Sequence, residues 1–330
     1  MTGLAPQNLP HIPVMLSEVL GLWKTPTQDD DKQPPERLYI DGTAGAGGHS
    51  AALLETVNFS GHRLLLFDQD PSAVSLLKTR FENESRVSVI QDNFARIGDH
   101  LPAQGITGGI LVDLGVSSMQ LDQAERGFSF QKEAPLDMRM DTTRSVTAAD
   151  WLSHASEKEI QQVLQDYGEE HYARSIARSI VETRQDNPIT HTKQLAELVS
   201  HVYRRRMKGK AFHQLGIHPA TRTFQAIRIA VNEELSSLTT LLESLPDLMA
   251  PGSTAVFISF HSLEDRIVKQ FFQTEMRGCV CPPRFPICRC GHVPRFKALT
   301  KKPITASPSE IEQNPRSRSA KVRAYIRLEC

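Results

Sequence analysis

The chain has 330 residues, 39% of them hydrophobic, enough to bury an α/β core and a second module. Basic and acidic residues both number 38, so the net charge is zero, but the charge is segregated: Tyr172 to Ala230 and Arg284 to Glu329 each hold eleven Lys/Arg against three Asp/Glu. An acidic body with two basic stretches points either to a polyanionic partner docked on one face or to solvated helix faces. No apolar run approaches the roughly 18 residues of a membrane span, and Met1 to Pro13 lacks the basic-then-apolar pattern of a signal peptide. Four of the five cysteines crowd between 279 and 290 instead of spreading as a disulfide scaffold would, so a cytoplasmic protein is expected.

Residues 25 to 36 read as a polar, proline-containing loop. After it, an apolar strand ending in Asp41 runs into Gly42-Thr43-Ala44-Gly45-Ala46-Gly47-Gly48-His49 and then into a helical stretch. Glycines let a backbone turn tightly and approach a ligand, although the same loop serves as a plain strand-to-helix turn in many α/β proteins. The next strand, Arg63 to Phe67, ends in Asp68, 20 residues after Gly48, where a doubly wound fold binds a ribose diol. A carboxylate at Asp41 would repel a pyrophosphate at the helix start. The spacing Asp41, Gly45, Gly47 therefore suits S-adenosylmethionine, with its sulfonium and ammonium and no phosphate, better than a dinucleotide.

Strand-like segments recur at 38–41, 64–68, 87–91 and 109–113, with a helix beginning near Pro71 between the second and third, which predicts a parallel sheet. The rhythm breaks after Asp113. Residues 118 to 143 read as a polar loop with three methionines. Ser156 to Glu159 has capping-box spacing ahead of Ile160, Val163, Leu164 and Tyr167. Tyr172, Ile176 and Ile180 mark a second helix. Leu195, Leu198, Val199 and Val202 mark a third, ending in the run Arg204 to Lys210. Phe224, Ile227, Val231, Leu235, Leu238 and Leu242 predict one long amphipathic helix. Strand patterns return at Thr254 to Phe260 and Val322 to Leu328. A helical module, 126–219, is thus expected inside a discontinuous α/β domain, 1–125 and 220–330. The cluster Cys279, Cys281, Cys288 and Cys290 reads either as a tetrahedral zinc site, though its Cys-x-Cys pairs are tighter than usual, or as reduced thiols in a loop.

Long blocks in order resemble the bacterial methyltransferases that modify N4 of a cytidine in small-subunit (16S) ribosomal RNA. They are His11 to Leu16, Tyr39 to Ser50, Asp113 to Ser118, Gln120 to Phe130, Pro135 to Asp141, His218 to Ala226, Ser259 to Arg266 and Asn314 to Arg316. The resemblance implies a Rossmann-like S-adenosylmethionine-dependent domain with an inserted all-helical substrate-recognition domain. It implies methyl transfer to a cytidine near the decoding site, on free rRNA or an assembled small subunit, and admits a homodimer. Carried over position by position, cofactor contacts fall on Gly47, Gly48, His49, Asp68, Phe94, Asp113 and Gln120. Phe94 could stack on adenine or be a core residue; His49 could be a solvent-facing helix start. The proline-proline-aromatic turn that many amino-methyltransferases carry after the fourth strand is absent from Asp113-Leu114-Gly115-Val116. Asp113, Ser117, Ser118 and His261 are therefore the candidate catalytic acceptors, His261 being equally readable as a structural residue. The rival readings are a methyltransferase for DNA or protein and a non-catalytic RNA-binding assembly factor.

Overall fold

The computed structural model describes residues 12–24, 36–56, 61–207, 216–282, 287 and 289–329. The chain packs as two compact units, Met1–Gly115 with Leu235–Cys330, and Val116–Glu234.

The first unit is built on a sheet in the order β3-β2-β1-β4-β5-β8-β6, with β7 paired to β8. Its strands are β1 (Leu38–Asp41), β2 (Arg63–Asp68), β3 (Val87–Gln91), β4 (Gly109–Asp113), β5 (Thr254–Ser259), β6 (Phe296–Ala298), β7 (Ile304–Thr305) and β8 (Lys321–Arg327). The first five run parallel, and β8 turns antiparallel beside β5. The central strands are buried throughout, β1 and β5 along their whole length, because helices cover both faces of such a sheet. On one face, α1 (Leu16–Trp23), α2 (Gly48–Leu54) and α3 (Pro71–Arg80) bring Val19, Trp23, Leu53 and Leu77 onto Tyr39, Leu64, Leu66 and Val256. On the other, α10 (Glu234–Leu248) and α11 (Ser262–Glu275) bring Leu238, Leu241, Leu245 and Phe272 onto Ile40, Phe67, Val112 and Phe257. A short α12 (Pro308–Gln313) supplies Glu310, whose Oε1 accepts the Met15 N–H at 2.5 Å.

The second unit is helical: α4 (Ser118–Asp122), α5 (Ala148–His154), α6 (Glu157–Gly168), α7 (Ala173–Asp186), α8 (Thr192–Met207) and α9 (Ala220–Asn232). Ile160, Leu164, Ile176, Ile180, Leu195, Val199, Phe224 and Ile227 share one core.

Three details depart from the sequence-based expectation. The helix expected over Phe224 to Leu242 is two helices, because Glu233 between them takes a left-handed conformation (φ 54°). The unit division falls at 115/116 and 234/235, since Phe224, Ile227 and Val231 pack into the helical core rather than onto the sheet. Residues 118 to 143 are not all loop: α4 lies there, and Leu136, Met138 and Met140 are buried in the helical core.

Candidate active site

The chain crosses from β3 at one side of the sheet to β4 on the far side of β1. Ligands of open parallel sheets bind at such a crossing, beyond the carboxyl ends of the strands. Here β1 ends in Asp41, β2 in Asp68 and β4 in Asp113. One short edge therefore carries three carboxylates.

Asp41 is buried. Its Oδ2 accepts the Ser50 hydroxyl at 2.5 Å and its Oδ1 the Thr43 N–H at 3.3 Å. Burial pushes its carboxyl up to about 6, against the pull of the Ser50 hydrogen bond, with a small push from Asp68. Asp68 accepts the Gly45 N–H on Oδ2 at 2.8 Å and the Asp70 N–H on Oδ1 at 2.9 Å. It thus pins the glycine loop to the tip of β2. The Asp113 N–H donates to Thr43 Oγ1 at 2.6 Å. Its Oδ1 is closed to solvent with no hydrogen-bond partner. Desolvation, then the charges of Asp41 and Glu264, push its carboxyl up to about 8. An orphaned acidic oxygen at a ligand-binding edge is the environment that a cationic or hydrogen-bond-donating ligand would complete.

The glycine loop runs from Asp41 into α2. Gly45 and Gly47 take positive φ (53° and 75°). The absence of side chains at Gly47 and Gly48 also has a packing reason: a Cβ on Gly47 would lie 2.8 Å from the Phe81 ring and one on Gly48 2.5 Å from Pro13 Cγ. Phe94 caps the loop from the β3–β4 connection, where its Cβ would touch any Cβ on Gly42. It is half-buried against the core, so the position serves packing.

His49 is not solvent-facing. Its ring is buried, Nε2 meets the Val14 carbonyl at 2.9 Å, and burial lowers its basicity. It ties the N-terminal segment to the loop as a neutral imidazole. His261 follows β5 at the same end of the sheet. Both its ring nitrogens are buried without a hydrogen-bond partner, although Nε2 lies 3.0 Å from Glu264 Oε1. Ser117 and Gln120 belong to the helical unit, where they cap α4 reciprocally: Ser117 Oγ accepts the Gln120 N–H and Gln120 Oε1 accepts the Ser117 N–H. The carbonyl end of Gln120 is thereby engaged in holding α4.

Sequence reasoning did not single out Thr43, Ser50 or Glu264. Glu264 is 2% exposed and receives the Phe260 and His261 N–H groups on Oε2 (2.8 and 3.2 Å). The one sequence signal for it is an acidic residue in the first turn after a strand.

Far from these carboxylates along the chain, Cys279, Cys281 and Cys290 bring their Sγ atoms within 4.8 Å of one another. Cys288 lies outside the described residues.

A sequence model described as the MraW methylase family matches residues 8–328. Among curated proteins, the ribosomal RNA small subunit methyltransferase H of Heliobacterium modesticaldum is 46% identical over 322 residues, 96% of this chain and 98% of that protein. The protein of the same name from Citrifermentans bemidjiense is 48% identical over 297 residues, 88% and 92% of the two chains. Among solved structures, an rRNA methylase from Streptococcus thermophilus aligns over 95% of this chain and 94% of its own, at 8% identity and a TM-score of 0.39. With nearly its whole length matched by the family model and by relatives above 40% identity, the chain belongs to the MraW methylase family and is a methyltransferase.

Proposed function

We propose that the protein transfers the methyl group of S-adenosylmethionine to the exocyclic N4 amine of a cytidine in small-subunit ribosomal RNA, near the decoding site, in the cytoplasm. The observation that carries this reading is the full-length match to relatives named as methyltransferases of that RNA. The acidic edge at Asp41, Asp68 and Asp113 supports the cofactor.

When bound, S-adenosylmethionine supplies an electrophilic methyl group on a sulfonium. The chain's own contribution is placement and charge. Asp68 stands at the tip of β2, suited to a ribose diol, and holds the loop at Gly45. Gly47 and Gly48 start α2, whose N-terminus presents backbone N–H groups. Phe94 supplies an aromatic ring to stack on a base. Asp41 and Asp113 favour a cationic centre beside them. We assign cofactor contacts to Gly47, Gly48, Asp68, Phe94, Asp113 and Gln120, with His49 acting through the loop it anchors.

The cytosine amine is a weak nucleophile because its lone pair is conjugated with the ring. An acceptor on its N–H localises that pair, and methyl transfer then needs the nucleophile about 3 to 3.5 Å from the methyl carbon. Asp113 is the preferred acceptor: a cation bound beside it lowers its pKa and makes it a carboxylate at the moment a base is required. Ser117 and His261 are the alternatives.

Methyl-tritiated S-adenosylmethionine, offered with small ribosomal subunits, free rRNA and DNA, tests the reading. The expected result is label in small-subunit RNA that digests to N4-methylcytidine. Label only in DNA or protein, or none with a folded, cofactor-binding enzyme, would refute it.

A further inference from the structure

Among its described residues, the loop between α11 and β6 buries no apolar side chain. Its described residues form no helix or strand, and Val280, Ile287 and Val293 stand 42%, 70% and 51% exposed. Its far end is fixed by Arg295, whose guanidinium grips the Glu275 carboxylate at 2.6 and 2.9 Å while its N–H donates to the Glu275 carbonyl. Its interior is gathered by sulfur. Cys279 and Cys290, eleven residues apart, bring their Sγ atoms to 3.7 Å. The Cys281 N–H points at Cys279 Sγ from 3.4 Å. None of the three is in a disulfide, and all are at least partly open to solvent.

A sulfur–sulfur separation of 3.7 Å is far longer than a disulfide, at about 2.05 Å. It is close to the separation of about 3.8 Å that a tetrahedral site imposes on two thiolates each about 2.3 Å from zinc. The Cys281 N–H aimed at Cys279 Sγ is also the kind of outer contact that steadies a metal-bound thiolate.

We propose that Cys279, Cys281 and Cys290 bind a zinc ion as thiolates, each thiol losing its proton to solvent as it ligates. Three thiolates leave the fourth tetrahedral position to water or to one further donor, and the ion's role is to hold the loop. Phe296 pairs with Arg327, at the end of β8 away from Lys321, and Lys321 is the residue that lies beside Ser259 near the carboxylate edge. The loop therefore enters the sheet at the end opposite Asp41, Asp68 and Asp113, too far away for the ion to act on a ligand there. Its work is to cross-link a loop that cannot bury enough apolar surface to hold itself, as metals do in small modules.

The test uses the full chain, purified reduced and without chelator. Elemental analysis should find about one zinc per chain, and cobalt exchanged into the site should give thiolate-to-cobalt charge-transfer absorption. Cys279→Ser and Cys290→Ser should each lower zinc affinity about 100-fold or more, while Cys330→Ser should leave it unchanged. S-adenosylmethionine binding by the serine variants serves as the control that the sheet domain is folded. Protein that holds no zinc and takes up none when titrated under reducing conditions overturns the proposal. So does a Cys279–Cys290 disulfide in freshly isolated protein, seen as the loss of two hydrogens by mass spectrometry, or unchanged zinc affinity in both variants.

Discussion

At the scale of single residues, the site is held in a state that folding alone would not choose. Asp113 is an acid whose folded pKa, about 8, lies above its ordinary value of 3.8. The sign follows directly: the folded state is not penalised below pH 4, and stability is lost progressively as pH climbs from about 4 to about 8. Asp113→Asn removes that cost. We expect it to stabilise the protein on the order of 3–5 kcal/mol at pH 8 but under about 2 kcal/mol at pH 5. Denaturant unfolding at the two pH values measures this, and equal gains at both would mean that the carboxyl ionises normally. The same residue links pH to the cofactor. A sulfonium beside Asp41 and Asp113 favours their ionised forms, so S-adenosylmethionine affinity should rise between pH 6 and 8 with release of a proton. Calorimetry in buffers of different ionisation enthalpy counts that proton; affinity independent of pH would place the cation elsewhere. Asp68 and Asp113 were legible in the sequence because each ends a strand at a known point of the fold. Thr43 was not, since its hydroxyl meets the Asp113 N–H only once β1 and β4 lie side by side, and Ser50 and Glu264 were not, since their contacts with Asp41 and with the Phe260 and His261 N–H groups depend on how α2 and α11 leave their strands. The engagement of His49 with Val14 was equally hidden, because it spans 35 residues of chain.

At the scale of elements, strands long enough to show a pattern were readable and short ones were not. The segments at 38–41, 87–91 and 109–113 coincide with β1, β3 and β4, whereas β6 and β7, with three and two residues, are defined only by pairing with β8. The long-helix expectation failed for a local reason. Apolar spacing continues unbroken from Phe224 to Leu242, but periodicity does not register one residue of opposite hand. Glu233 supplies that residue, and its Arg144 partner sits 2.9 Å away on an exposed surface. A non-glycine residue pays roughly 1–2 kcal/mol for the left-handed conformation, while an exposed ion pair returns about 0–1. The backbone term should therefore decide. Glu233→Gly is expected to be more stable than Glu233→Val by about 1–2 kcal/mol in denaturant unfolding. Equal stabilities would show that the α9–α10 junction can relax its hand.

At the scale of the whole molecule, basic and acidic residues balance within each of the two units, so the segregation of charge is local, lying in runs of sequence and not between the units. The carboxylate edge belongs to the sheet unit. The helical unit carries Arg174, Arg178 and the triplet Arg204, Arg205 and Arg206, all exposed. Arg178 is paired with Glu182 at 2.7 Å, so it is a weaker candidate for phosphate than the triplet. The triplet occupies the last turn of α8, where cations also complement the helix dipole. Lys208 and Lys210, which continue the run, lie outside the described residues. If the helical unit grips RNA phosphates through the triplet, contact releases counterions and affinity must fall steeply with salt. Replacing all three arginines with alanine should weaken rRNA binding and flatten the plot of log affinity against log salt by up to about one unit per lost contact. Affinity for S-adenosylmethionine should not change, because the carboxylates assigned to it lie in the other unit. Filter binding across a salt series, with calorimetry for the cofactor, separates the two effects. A variant that kept the wild-type slope would reduce the triplet to a solvated helix end. The docking surface would then belong to the second basic stretch, Arg284 to Glu329, and the helical unit would recognise its substrate by something other than charge.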